Sequence, residues 1–299
     1  MSTYHENTRR RKMWFGTQHH SEWINAPLRG AEMTPESWGT EGTYLSGGGF
    51  VRQSQDSHRQ YIFEWSGASS REAAEKMQAY RDGVYSRRRT DLIYFIDPLM
   101  YERNVLPKRW AQPGIIASET RITPSGLGNA ILSSTPSGFV DRGVPLAGAS
   151  IGSQALPDFS NSSPRKGSIW VPIPEGMYLR IVAWAEADSV GNGVYVRPQK
   201  TDGEWQTPTR ITNTPFTVSG SKGVLLGTVG QFRLYGIRAI LTPAGGDTPA
   251  DWGTSPVWLP GSGNSGCKFV GNPTWIANSA VNGGQIGYST TLKEVGDWQ

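Results

Sequence analysis

The chain has 299 residues, including 37 glycines, 20 prolines and 12 tryptophans, and a formal net charge of +4. That length allows one large domain or two ordinary ones, and the composition excludes a helical bundle in favour of short strands joined by tight turns. Lys and Arg number 16 against 13 acidic residues up to position 112, and 13 against 12 beyond it, which excludes the basic excess of a dedicated DNA-binding domain.

Along the chain, a basic run, Arg9-Arg10-Arg11-Lys12, leads into "KMWFG", which reads as a short strand. "TYLSGGGFVRQ" reads as an extended segment around a glycine-rich turn. "RQYIFEW" alternates Tyr61, Phe63 and Trp65 on one face with Ile62 and Glu64 on the other, the period of a half-buried strand. "SSREAAEKMQAYRDG" changes the period. Ser69 and Glu72 have capping-box spacing, Ala73, Met77 and Tyr80 form an i, i+4, i+7 stripe, and Gly83 stands where a helix-ending glycine belongs. A helix over 70–82 follows. "DLIYFIDP" reads as a buried strand ended by Pro98, and "LPKRWAQPG" as a linker.

Beyond the linker the pattern is all-β. "TPSG" occurs at 123 and at 135, as turns between successive strands would require, and residues 141–167 read as a long loop. Eight strand candidates follow, from "GSIWVPIP" to "GYSTTLKEVGDW". This spacing suits a sandwich or jelly roll. The expected division is therefore 1–112 and 113–299, with the second part able to close its own core and fold alone.

Cys267 is the only cysteine, so no intrachain disulfide can form. The polar N-terminus lacks the apolar core of a signal peptide, and no apolar run approaches the ~20 residues that span a bilayer. The expectation is a soluble protein made in a cytoplasm, without membrane insertion.

Few residues suggest chemistry. His19 and His20 are adjacent, so on a strand they point to opposite faces, whereas a metal needs convergent ligands. A hydrogen-bonding structural role fits them better. Cys267 lies far along the chain from all four histidines and reads as a small buried side chain. Gly47-Gly48-Gly49 and "GSKG" at 220–223 lack P-loop spacing, and Glu186 and Asp188 before "SVGNG" lack the EF-hand pattern. No Gly-x-Ser-x-Gly elbow or catalytic carboxylate pair stands out. The expectation is no enzyme, no metal and no cofactor. Arg9, Arg10, Arg11 and Lys12, with Arg87, Arg88 and Arg89, read either as solvated charge, as candidates for contacts to acidic groups on neighbouring subunits in an assembly, or as contacts to a passing nucleic acid.

"MWFG" near the start, "GTYLSGGGFVR", "FEWSGASSREAAEKMQAYRDG", "LIYFIDPLMYERNVLPKRW", a late "SGCKF" and a closing "STTLKEVGDW" occur in that order. Together they resemble the minor tail proteins of long, flexible-tailed phages of actinobacteria, of the distal tail protein class. The resemblance covers nearly the whole chain and is strongest from 13 to 112. It implies a mainly β fold. The N-terminal part would be a tail-tube-like β-sandwich or split barrel with one flanking helix. The C-terminal part would be a galectin-like or carbohydrate-module-like β-sandwich. It also implies a ring of six copies at the virion's tail tip, between the tail tube protein and the tail hub or baseplate proteins. DNA would pass through the lumen without specific binding. The basic arm would lie on a neighbouring subunit.

Two rival functions stand beside this. One is a carbohydrate-binding module for host cell-wall glycan, using Trp205, Trp252 and Trp258 in expected loops as stacking platforms. The other is a cell-wall hydrolase, against which the lack of any histidine after position 58 argues.

Overall fold

The computed structural model describes residues 12–27, 32–35, 38–43, 49–54, 59–65, 68–85, 91–96, 104–111, 130–132, 140–141, 144–145, 149–151, 168–185, 191–229, 232–246, 263–264, 266–278 and 285–295. Among the described residues the fold is mainly β, with several antiparallel sheets and one long helix. Its first strands are β1 (Lys12–Gly16), β2 (Ser21–Asn25), β3 (Glu32–Pro35), β4 (Trp38–Thr43), β5 (Gly49–Ser54) and β6 (Arg59–Trp65). Helix α1 (Ala68–Arg81), strand β7 (Tyr94–Ile96) and the one-turn helix α2 (Lys108–Ala111) follow. Short strands come next: β8 (Ala130–Leu132), β9 (Val140–Asp141), β10 (Val144–Pro145) and β11 (Ala149–Ile151). The longer strands are β12 (Ser168–Pro172), β13 (Met177–Ala185), β14 (Gly193–Lys200), β15 (Thr209–Ile211), β16 (Phe216–Val218), β17 (Ser221–Val229), β18 (Phe232–Pro243), β19 (Cys267–Asn278) and β20 (Gln285–Glu294).

The alternation in β6 is realised: Tyr61, Phe63 and Trp65 are buried, and Glu64 is exposed. Helix α1 covers them with Ala73, Ala74, Met77 and Tyr80, and Ala73, Met77 and Tyr80 are the stripe the sequence marks. The helix begins at Ala68, so Ser69 lies inside its first turn rather than at its cap. Its far end is a Schellman motif. Gly83 has φ 78°, its N–H donates to the Tyr80 carbonyl, and the Val84 N–H donates to that of Ala79.

Two antiparallel sheets, ordered β16-β13-β18-β11-β8 and β12-β17-β14-β15, contribute to one large core. Leu179, Ile181, Ile237 and Ala239 come from the first, and Ile169, Val194, Val224 and Leu226 from the second. Because β11 sits between β18 and β8, part of the expected 141–167 loop is a strand; residues 152–167 lie outside the described residues.

The last two strands go elsewhere. β20 pairs with β6 in register Leu292↔Tyr61 and Tyr288↔Trp65, giving the sheet β19-β20-β6-β3. Cys267, at the start of β19, exchanges both backbone hydrogen bonds with Ile93 just before β7. The pairing thus runs across the expected 112/113 boundary. Two of the eight strands expected in one C-terminal core build the core around α1, through Cys267, Tyr288 and Leu292. Among the described residues no closed barrel forms, but Trp65 ties β6 to β2 by donating its indole N–H to the Asn25 carbonyl at 2.8 Å.

The small sheet β2-β1-β7 lies between the two cores. Met13 and Phe15 of β1, with Phe95 of β7, face the α1 core, while Trp14, Tyr94 and Ile96 face the other. Alternate residues of one strand point to opposite faces, so a sheet buried on both sides must be apolar at every position. "MWF" and "YFI" meet that demand.

The expected linker is a packed strap. Asn104 replaces a missing strand neighbour: its Nδ2 donates to the Ile237 carbonyl at 2.8 Å, and its Oδ1 accepts from the backbone N–H groups of Ala239 and Leu106. Val105 adds a backbone bond to the Ala239 carbonyl, and Leu106, Trp110 and Ala111 are fully buried. Apolar side chains at these three positions make the segment adhere to β18 although Pro107 interrupts any regular ladder.

Candidate functional site

The turn between β1 and β2 carries the two histidines. Thr17, buried, accepts through Oγ1 from the backbone N–H groups of His19 and His20, each at 3.2 Å. The imidazoles then diverge. His19 Nε2 lies 3.8 Å from Asp91 Oδ2, and His20 Nε2 lies 4.0 Å from Glu22 Oε1. His20 stacks on Tyr85 with centroids 4.2 Å apart. Glu22 also holds Lys76 at 2.7 Å, and Lys76 reaches back to Glu72 at 3.0 Å. Burial works to lower the Lys76 pKa, and the bonds to Glu22 and Glu72 overcome it, leaving it above its ordinary value. Burial, then the Glu22 charge, raise that of Tyr80. The group fastens the hairpin to α1. Among the described residues no three His, Cys, Asp or Glu side chains converge as metal ligands; His5 and His58 lie outside them.

Cys267 is fully buried, and burial followed by the Glu294 carboxylate pushes its thiol well above the ordinary value, with Arg59 opposing. A nucleophilic thiol needs the reverse, an accessible and stabilised thiolate. Of the described histidines, His19 and His20 are engaged at the β1–β2 turn with Asp91 and Glu22.

Of the basic candidates only Lys12 is described, and it is exposed at the start of β1; Arg9, Arg10, Arg11, Arg87, Arg88 and Arg89 lie outside the described residues. Of the stacking candidates, Trp205 is half-buried against the larger core with the Arg197 guanidinium 5.5 Å from its ring centroid, so that face is occupied. Trp252 and Trp258 lie outside the described residues.

Trp275 is not among the residues that the sequence pattern singles out. It stands on the outer half of β19 and is 49% exposed. Its ring meets Tyr288 at 4.9 Å and 65°, and Tyr288 lies 5.9 Å from buried Trp65. Cross-strand register forms this row, Trp65↔Tyr288↔Trp275. Arg81, at the end of α1, clamps the bulge before it by donating to the Gly271 carbonyl and to Asn272 Oδ1. The signal was faint: "NPTWIAN" has a proline inside it and no alternation.

No family model, curated protein or solved structure matches this chain.

Proposed function

We propose that this chain is a structural virion protein of a phage tail tip. Six copies form a ring that joins the tail tube protein to the tail hub or baseplate proteins and leaves a channel for DNA. The body around α1 is read as the ring-forming, tail-tube-like split barrel. The two facing sheets beyond it are read as a galectin-like or carbohydrate-module-like sandwich directed outward. The observation that carries the reading is where the resembling motifs meet. "MWFG", "FEW", the α1 segment, "YFI", "SGCKF" and "STTLKE" are spread over some 280 positions, yet they supply Phe15, Phe63, Met77, Phe95, Cys267 and Leu292 to one core. Segments that resemble one protein class in order also form one physical unit here.

A ring needs two different surfaces on each copy that fit each other head to tail. Light scattering on the purified full chain tests this. The expected mass is six times that of the 32.7 kDa chain. A monomer at micromolar concentration contradicts the reading.

A second reading, recognition of host cell-wall glycan, is favoured by one observation, the open ring of Trp275. An indole fixed by an aromatic neighbour and flanked by exposed Asn272 and Thr274 offers a stacking face beside polar groups. Binding of the full chain to purified cell-wall polysaccharide, lost in Trp275→Ala, supports it; equal binding by the variant removes this site from consideration.

A further inference from the structure

Between the two cores lies a small cavity lined by Phe95, Ile96, Val105, Pro172, Gly263 and Asn264. Four separate parts of the chain meet there: β7, the 104–111 strap, the end of β12 and the approach to β19. The approach is tight. The Gly263 N–H donates to the Leu106 carbonyl at 3.1 Å, and a Cβ on Gly263 would stand 1.7 Å from the Val105 carbonyl oxygen. Only glycine fits.

Asn264, 9% exposed, projects its amide into this junction. Its Nδ2 donates to the Phe95 carbonyl at 2.8 Å. That bond fixes the orientation of the amide, because turning it over would set two oxygens against each other. Oδ1 must therefore point the other way, and it is buried without a hydrogen-bond donor. A buried carbonyl oxygen left in that state forfeits the hydrogen bonds that water gives it in the unfolded chain.

We infer that this junction binds one ordered water molecule, held by Asn264 Oδ1. Two independent observations agree. The oxygen requires a donor, and the cavity gives the centre of a water molecule about 10 Å³, close to the ~10–15 Å³ at which a site admits a single water. The lining selects water over a small cation: Phe95, Ile96, Val105, Pro172 and Gly263 bring no charge, and an uncompensated buried cation is far more costly than a neutral donor. The site makes the contact between the two cores a hydrated joint at this point.

The test is water–amide cross-relaxation by NMR on the isotopically labelled full chain, with a high-resolution crystal structure beside it. The expected result is a cross-peak between the Asn264 side-chain NH2 protons and a water that stays longer than molecular tumbling, with one density peak at hydrogen-bond distance from Oδ1. In Asn264→Leu both should vanish. If that variant does not fold, the unaltered chain decides alone. A dry cavity, a side chain filling it, or an amide turned with Nδ2 inward overturns the inference.

Discussion

The rings of Tyr94 and Trp170 meet at 64° with centroids 4.8 Å apart, and that contact joins the inner sheet to the larger core. Trp14 also meets this indole, with ring centroids 6.3 Å apart. Strand β1 therefore touches the large core through Trp14 and the α1 core through Met13 and Phe15. Trp170→Ala should cost about 3–5 kcal/mol, as removal of a large buried aromatic does. Urea unfolding should shift to lower midpoint by both tryptophan fluorescence and far-UV circular dichroism. An unchanged helix signal across the first half of the transition would mean that the cores unfold independently.

Gly223 lies under the same ring. A Cβ there would stand 2.5 Å from the Trp170 indole, which has buried neighbours and no free direction to move. Gly223→Ala should therefore destabilise by about 1–3 kcal/mol, the usual cost of overpacking. A thermal midpoint equal to that of the unaltered chain would show that the indole can shift.

The 104–111 strap gives a sharper case. Asn104→Ala removes one donor and one acceptor that serve Ile237, Ala239 and Leu106. Buried backbone groups left without partners should cost about 2–4 kcal/mol in total. Amide exchange at Ala239 and Leu106 should accelerate well beyond that of β17. Equal protection in variant and parent would place the strap's stability in Leu106 and Trp110 alone.

Helix α1 was legible to within two residues because Ala73, Met77 and Tyr80 repeat at helical spacing and Gly83 ends it. β6 was legible from its strict alternation. The pairing of β20 with β6 was not, because nothing local in "STTLKE" says that its partner lies more than two hundred residues earlier. The strap looked like a linker because Pro107 and Pro113 suggest one, whereas the decisive hydrogen bonds run from a single asparagine side chain. Of the candidate site, His19 and His20 do diverge, to Asp91 and Glu22, but from the turn between β1 and β2 rather than from the strand on which adjacency would set them on opposite faces. Trp275 was missed because exposure at a strand's outer half depends on where α1 stops.

The cross-boundary pairing has a direct consequence. A fragment of residues 113–299 lacks β6, β7 and the buried side chains Trp14 and Tyr94, so β19 and β20 lose their neighbours. It should be aggregation-prone, as unpaired strand edges are, and the fragment 1–112 should lack a stable core. Co-expression should recover a soluble complex of the two. A cooperative, monomeric 113–299 fragment with all its tertiary signals would contradict this.

Stability should fall in alkali in a defined direction. Burial, aided by Glu294 and opposed by Arg59, raises the Cys267 thiol and the Tyr61 phenol, and burial raises Tyr80. The folded chain thus keeps protons that the unfolded chain releases above about 8.5 for a thiol and about 10 for a phenol. Their contribution is complete below about pH 8.5 and is lost as pH rises. Urea midpoints should decline from pH 8 to pH 10, and Cys267→Ala should show a shallower decline over the same range. A steeper decline in the variant would reverse the sign of the argument.

Negative-stain electron microscopy of the purified full chain decides whether copies of it close a ring. Face-on particles with sixfold symmetry and a central hole are expected. Particles of single-chain size without a hole, at concentrations where light scattering also reports a monomer, would contradict it.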